Sequence, residues 1–423
     1  MPFPLHAFAS SASVPKHFKE LVLKKEIQEL FKCFHSFSNQ AELRFVGGCV
    51  RKLMSDEKVD DIDLSINLKP EIVIEILKKN KIDFYETGID HGTITAVINK
   101  KSFEITTLRK DIKTDGRHAQ VEYTNNWLDD ASRRDFTINA IYCDLEGNLF
   151  DPFNGRIDLN NGLIKFVGDP AKRITEDYLR ILRYIRFFLG YSKNKHDKNL
   201  IKIIKQNLGG FKKISKNRQF QELKKILTIE NFYKINLDNT TKELFLLIFP
   251  ELKYINRLKK LDRLREGILK SKKFEFVLCL LLIDSSDNSD YFIYKYNLSN
   301  KEKDKIKLLN SVFFENTKKD YFTKENLKKI LLKQGRENLI DILDFKIITT
   351  KTNINNLIYI KKYFEEFKIP VMPIKAKDLI EKFDLKEGKL LGSILKEIEE
   401  QWINNNFQIS NNQIEDIIRS RRI

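Results

Sequence analysis

Through its first part the chain alternates between apolar and polar at short intervals. The runs LRFVGGCV (43–50), IDLSI (62–66), TITAVI (93–98), SFEITTL (102–108) and TINAIYCDL (137–145) are short, rich in β-branched and aromatic residues and bounded by turn residues, which predicts strands. Stretches such as KKNKIDF (78–84) predict short helices between them. From about Ala171 the period changes. EDYLRILRYIRFFLG (176–190), RQFQELKKILTIENF (218–232) and LLGSILKEIEEQWI (390–403) space their apolar residues three and four apart, as amphipathic helices do. Ten of the 16 glycines fall at or before Gly190, so turns are dense early and sparse late. The expected class is α+β: a mixed head, then an all-helical remainder packed against it without a low-complexity linker.

At 423 residues and 42% hydrophobic content the chain can build two or three domains with proper cores. It holds no apolar run near the ~20 residues of a membrane helix, and its start, MPFPLHAFASSASVPKHF, lacks both a charged leader region and a long apolar core. The expectation is a cytoplasmic protein with no membrane partner. Cys33, Cys49, Cys143 and Cys279 are scattered and form no CxxC pair, so neither a disulfide framework nor a zinc site is suggested, and they read as small buried apolar residues. The net charge of +17 points to a polyanionic partner, nucleic acid first and an acidic membrane surface second.

One predicted strand carries charges where apolar side chains belong. In VDDIDLS (59–65) strand alternation turns Asp61 and Asp63 to one face, with Ile62 and Leu64 facing the core and Asp60 opposite the pair, as a turn residue. Two carboxylates about 7 Å apart along a strand repel unless a cation lies between them. Mg²⁺ suits them, since it takes one or two carboxylates and fills its shell with water and phosphate oxygens. The bland alternative is an exposed strand end. Upstream, FVGGCVRK (45–52) reads as a strand, a turn at Gly47 and Gly48, and Arg51 in the first turns of a helix. Glycines let backbone approach a ligand, N–H groups at a helix start face an anion, and an arginine adds a charge-assisted bond to phosphate. Beside a DxD strand, this describes a triphosphate cradle next to a metal site.

This pairing, with the motifs downstream, closely resembles the head of the class II tRNA nucleotidyltransferases, the CCA-adding enzymes, and of their relatives the bacterial poly(A) polymerases. The resemblance is strong over the first half of the chain and fainter beyond. It implies a polymerase-β-like nucleotidyltransferase head in which Asp61 and Asp63 hold the metals. Lys52 and Ile66 stand where the family usually has Asp and Thr; the metal ligands are intact. FEITTLRKDIKTDGRHAQ (103–120) resembles the family's strand and flexible loop, with Glu104 a candidate third carboxylate and Arg117, beside Gly116, a candidate phosphate or RNA contact. RRDFTINA (133–140) matches a family motif over its whole length. Arg133 and Arg134 suit a triphosphate, while Asp135 and Asn139 suit the sugar or the task of holding the arginines. DPFNGRIDL (151–159) matches the hinge between head and neck, with Asp151 and Gly155 structural.

In EDYLRILRYIRFF (176–188), Asp177, Arg180, Arg183 and Arg186 recur every three residues, which predicts one shared helical face. Stacked arginines need anions or base edges opposite them. An i,i+4 pair between Glu176 and Arg180 is the structural answer to part of this. The functional answer is that an Asp beside an Arg accepts from an exocyclic amino group and donates to the adjacent ring acceptor, a combination offered by cytosine and adenine. In the resembling family Asp177 and Arg180 would be this protein template, with Arg183 and Arg186 nearer phosphate or structure. FKKISKNRQFQELKKIL (211–227) looks like the neck, with Arg218 and Glu222 structural, and 373–403 resembles the tail, with Gly388 and Gly392 at its turn into a helix.

These readings combine into a catalytic head over 1–165, a helical neck with the nucleotide-selecting helix over 166–235, and a helical body and tail binding tRNA over 236–423. The expected activity is template-independent addition of CCA to tRNA 3′ ends from CTP and ATP, with Mg²⁺ and no obligate protein partner. A poly(A) polymerase or a CC- or A-adding enzyme is the alternative on the same scaffold, and a non-catalytic RNA-binding protein the remote one.

Overall fold

The computed structural model describes residues 6–7, 16–59, 61–115, 118–263, 272–314, 321–405 and 407–422. Asp60, Gly116 and Arg117 lie outside the described residues. The chain divides into two compact units, residues 1–248 and 249–423.

In the first unit, strand β1 (His6–Ala7) and helices α1 (Lys16–Val22) and α2 (Lys25–Phe37) precede the predicted strands. Strand β2 (Leu43–Val46) runs into helix α3 (Gly48–Met54), and β3 (Ile62–Ile66) is the aspartate strand. Helix α4 (Pro70–Lys79) starts on a proline, whose missing N–H costs nothing at that position. Strands β4 (Asp83–Gly88), β5 (Thr93–Ile98) and β6 (Lys101–Thr107) follow, then the hairpin of β7 (Arg109–Asp115) and β8 (His118–Tyr123). Helix α5 (Trp127–Ser132) is capped by Asn126, which accepts from the Leu128 N–H at 2.9 Å. Strands β9 (Tyr142–Cys143) and β10 (Asn148–Phe150) complete a mixed eight-stranded sheet of order β1-β10-β9-β2-β3-β6-β5-β4, in which only β3 and β6 run parallel.

Helix α2, α3 and α4 side chains pack with the sheet residues Phe45, Ile62, Leu64, Ile66, Phe103 and Ile105 in one buried cluster. This is the half-buried alternation predicted for the aspartate strand, with Ile62 and Leu64 in the core. The rest of the unit is helical: α6 (Gly155–Asn161), α7 (Pro170–Glu176), α8 (Arg180–Tyr191), α9 (Lys198–Asn207), α10 (Lys216–Leu227) and α11 (Asn239–Ile248). Gly155 is required by space, since a Cβ there would stand 2.1 Å from the Thr137 carbonyl oxygen. Asp151 fixes the same turn by accepting from the Gly155 and Arg156 N–H groups at 2.7 and 2.8 Å, the structural role expected of both residues.

Three local expectations are corrected. KKNKIDF is not a helix of its own: α4 ends at Lys79 and β4 begins at Asp83. TINAIYCDL is not one strand: Thr137–Asn139 form a 3-10 helix, and only Tyr142 and Cys143 join the sheet. Polar side chains that hydrogen-bond local backbone compete there with extended pairing, as Asp135 does by accepting from the Phe136 N–H at 2.9 Å. Finally, α8 begins at Arg180, and Asp177 is the extended residue that ends α7. Asp177 therefore does not share a helical face with the arginines.

The second unit is helical throughout its described residues. Its longest helix, Lys324–Thr349, bends at Gly335, whose φ of 79° is left-handed. Asp341 and Asp344 on that helix are buried and pair with Lys272, Lys305 and Lys361. The C-terminal helices Ala376–Phe383, Lys389–Asn404 and Asn411–Arg422 share a separate apolar cluster that includes Leu379, Ile394 and Ile417.

Candidate active site

A cleft of about 1140 Å³ opens in the first unit. Its lining brings together Gly47, Gly48, Arg51, Asp61, Asp63, Arg133, Arg134, Asp135, Asn139, Asp177, Arg180, Arg183 and Arg186, residues spread over almost 140 positions of the chain. Glu104 is not among the lining residues.

The aspartates stand at the edge of β3. Asp61 is exposed just before the strand and Asp63 is half-buried within it. Glu104 lies opposite Asp63 on the parallel neighbour β6. Burial holds the Asp63 carboxyl above the usual carboxylate range, and the charges of Glu104 and Asp61 add to this against Arg134 and Arg51. A carboxylate so crowded by like charge is one that a cation would stabilise. Among the described residues no group of three or more His, Cys, Asp or Glu side chains is arranged to hold a metal ion. Asp61 and Asp63 are two hard oxygen donors, a number that would fit Mg²⁺ with phosphate and water completing its shell.

Gly47 makes the turn between β2 and α3 with φ 66° and ψ −123°, a conformation open to glycine but strained for any other residue. A Cβ on Gly47 would lie 3.4 Å from the Arg134 Nη1, and one on Gly48 would lie 4.0 Å from the Asp63 Oδ2. The bare turn thus keeps backbone, the Arg134 guanidinium and the Asp63 carboxylate close to one space.

Asp130, which sequence reasoning passed over, organises the arginines. It is fully buried. Its Oδ1 accepts from the Arg133 Nε at 2.8 Å and the Arg109 N–H at 3.3 Å, and its Oδ2 from the Arg134 Nη2 at 3.0 Å and the Tyr142 hydroxyl at 2.6 Å. Arg134 also donates to the Tyr142 hydroxyl at 2.8 Å and the Ser65 hydroxyl at 3.3 Å. Burial works to raise the Asp130 pKa, but Arg134, Arg133 and the Tyr142 hydroxyl outweigh it and hold the carboxyl far below the usual range. A depressed carboxylate contributes stability that is complete above its unfolded value of about 3.9 and is lost as pH falls through the folded value. Asp130→Asn is therefore expected to cost about 3 kcal/mol near neutral pH, because it leaves two half-buried arginines without their buried counter-charge. Melting curves of both proteins against pH check this: the gap should be full near neutrality and narrow once the pH drops below ~4. Arg109 begins the β7–β8 hairpin and also lines the cleft, with burial pulling its pKa down to about 10.

The arginines of α8 each meet an anion. Arg180 donates to Glu176 at 2.6 Å, Arg183 to Asp135, and Arg186 to Glu222. The structural answer foreseen for Glu176 and Arg180 thus holds, and it extends along the face. Asp177 pairs instead with Arg218 of α10 at 2.7 Å, while its Oδ1 accepts from the Leu179 N–H at 3.2 Å. Arg218, expected to be structural, lines the cleft. Nothing in the sequence pairs it with a residue 41 positions away, whereas Asp130 was readable, standing three and four residues before Arg133 and Arg134 at a helix end.

Residues 43–165 match the Poly A polymerase head domain family. The mitochondrial CCA tRNA nucleotidyltransferase 1 of Danio rerio is 32% identical over 405 residues, covering 89% of this chain and 86% of its own length. The human protein of the same name is also 32% identical, over 93% of this chain and 89% of its own. The chain belongs to the class II CCA-adding enzyme family. The CCA-adding enzyme of Staphylococcus haemolyticus, at 29% identity over 85% of this chain, is a bacterial relative. The family fold extends over nearly the whole chain. The crystal structure of the Bacillus stearothermophilus CCA-adding enzyme in complex with CTP superposes with a TM-score of 0.65 at 23% identity, covering 95% of this chain and 98% of that one. The Thermotoga maritima enzyme complexed with tRNA gives 0.59 at 20% identity.

Proposed function

We propose that this chain adds CCA to the 3′ ends of tRNA from CTP and ATP, by attack of the RNA 3′-hydroxyl on the α-phosphate with departure of pyrophosphate. The observation that carries this reading is the convergence of Asp61 and Asp63, the Arg134–Asp130 network and the Asp177 carboxylate on one cleft large enough for a nucleotide and an RNA end. The two vertebrate relatives named above are CCA tRNA nucleotidyltransferases at 32% identity.

Asp61 and Asp63 would hold Mg²⁺, which when bound supplies positive charge at the reacting phosphate and its leaving oxygen. Arg134, fixed by Asp130, Tyr142 and Ser65, presents its Nη1 to the Gly47 turn, where a triphosphate would meet backbone N–H groups and guanidinium together. Asp177, oriented by Arg218 and the Leu179 N–H, retains lone pairs that accept from the amino group shared by cytosine and adenine. Arg180 supplies the donor beside it. Arg133, Asp135 and Asn139 hold the arginines and the 3-10 turn in place, and Arg183 and Arg186 belong to the same frame.

We assign catalysis to residues 1–165, nucleotide selection to 166–235 and the holding of tRNA to 236–423. The net charge of +17 supports an RNA partner. No described helix is long and apolar enough to cross a membrane. Cytoplasmic residence is proposed, and fractionation of cells carrying a tagged copy tests it against the mitochondrial location in the vertebrate relatives' names. Activity is tested by pyrophosphate release from CTP in the presence of tRNA lacking its 3′ end. Release that requires Mg²⁺ and the trimmed tRNA is expected; RNA binding with no release would reduce the chain to a non-catalytic RNA-binding protein.

A further inference from the structure

Most arginines of the cleft are answered by carboxylates of the protein itself. Arg180, Arg183 and Arg186 pair with Glu176, Asp135 and Glu222, Arg218 pairs with Asp177, and Arg133 and Arg134 pair with Asp130. Lys52 lines the same cleft and is half-buried, yet among the described residues it pairs with no carboxylate. Glu57 also lines the cleft, and its N–H donates to the Lys52 carbonyl at 2.8 Å, but the two side chains form no ion pair. A cation that shares a cleft with so many others and has no counter-charge of its own is stabilised by an anion brought from outside.

The place of Lys52 on α3 indicates which anion. Gly48 and Lys52 are four residues apart in that helix, so they share a face about 6 Å apart. Gly48 stands beside the site: a Cβ there would lie 3.7 Å from the Arg51 Nη2 and 4.0 Å from the Asp63 Oδ2. Asp63 and Lys52 also act on one group, the Cys49 thiol, which burial pushes up to about 12, with the Asp63 charge adding to the shift and the Lys52 charge opposing it. When the RNA 3′-oxygen bonds to the α-phosphorus, the bond from that phosphorus to the bridging oxygen breaks and its electron pair leaves with pyrophosphate. Negative charge therefore grows on the outer part of the nucleotide tail as the bond breaks, and a cation placed there gains most in the transition state and product. The α-phosphate is tied to the aspartates, so the outer phosphates lie farther from them, and Lys52 stands one turn beyond the glycine turn that meets the tail. A lysine suits a group that must leave, because a point charge on a flexible stem holds phosphate without the bidentate fork of arginine.

We propose that Lys52 is a phosphate-binding residue for the outer end of the nucleotide tail and for the pyrophosphate it becomes, an assignment that rests on the reading of the chain as a nucleotidyltransferase with its metal pair at Asp61 and Asp63. Lys52 stands where the family usually has Asp, so the contact is this chain's own.

Two variants test it, Lys52→Gln, which removes the charge, and Lys52→Arg, which keeps it. Pyrophosphate binding is measured by calorimetry with Mg²⁺ and without RNA, and the KM values for CTP, ATP and trimmed tRNA and the preference for CTP over UTP are measured by addition assays. In Lys52→Gln the affinity for pyrophosphate should fall about 10-fold and the KM values for CTP and ATP should rise together by about 3- to 10-fold. The KM for tRNA and the preference among bases should stay within about 2-fold of the parent, and Lys52→Arg should bind pyrophosphate within about 3-fold of it. Unchanged pyrophosphate affinity in Lys52→Gln, in a parent that transfers nucleotides, would overturn the proposal and leave the nucleotidyltransferase reading standing. The pattern of an RNA contact would overturn it as well: pyrophosphate affinity kept, the KM for tRNA raised, and the slope of log affinity for tRNA against log salt reduced by about 0.7. A parent that neither binds pyrophosphate nor transfers nucleotides would remove the nucleotidyltransferase reading and the proposal with it.

Discussion

Replacing Asp61 or Asp63 by alanine is expected to abolish addition of C and of A alike, by about 1,000-fold or more in kcat, while tRNA affinity stays within about 3-fold of the parent. The first number follows from the several kcal/mol of charge stabilisation a bound metal supplies in phosphoryl transfer. The second follows from where the aspartates are: two side chains at one end of a strand, one exposed and one half-buried, in a chain whose surplus positive charge falls entirely after residue 165. Removing Asp63 also relieves the repulsion it shares with Glu104 and Asp61, so the variant should fold at least as well as the parent. Single-turnover assays with CTP and with ATP, beside tRNA binding by filter retention, check both halves. Loss of one nucleotide with the other retained would assign these residues to selection and take the metal away from them.

Asp177→Ala should act differently, leaving the enzyme active but indiscriminate. A well-placed acceptor and donor facing a base edge separate right from wrong base by about 1–3 kcal/mol, so the preference for CTP and ATP over UTP and GTP should fall by about 10- to 100-fold. Because Asp177 is held by Arg218, Arg218→Gln should lower the preference in the same direction and by less, since the Leu179 N–H still orients the carboxylate. Competition between labelled nucleotides measures both. Unchanged discrimination in Asp177→Ala would end the view that this carboxylate reads the base.

How much of this could be read from the sequence depended on the range of the interaction. Strand β3 and its outward aspartates were legible because alternation is a local property, and the glycine turn into α3 was legible because glycine and chain direction announce it. The stacking of Arg180, Arg183 and Arg186 followed from helical spacing. What opposed them did not: Asp135 and Glu222 stand 48 and 36 residues away from their partners, and only the fold brings them together. The start of α8 was misplaced for a related reason. A motif that repeats every third residue continues through Asp177 on paper, whereas the backbone is extended there and ends the preceding helix. Arg51 shows the limit most clearly: its position in the helix was legible, but its packing against Phe187 and Tyr191 of α8 was not, because periodicity places a segment on a helix without saying what that helix packs against.

The central claim is that one cleft adds three nucleotides in a fixed order and then stops. It is tested most directly by incubating the purified protein with Mg²⁺, CTP, ATP and tRNA trimmed of its 3′ end, and sequencing the products. The expected ends are CCA with no further residues. Ends that stop at CC, carry only A, or extend into a long A tail would keep the fold and the metal chemistry and contradict the assignment of complete CCA addition.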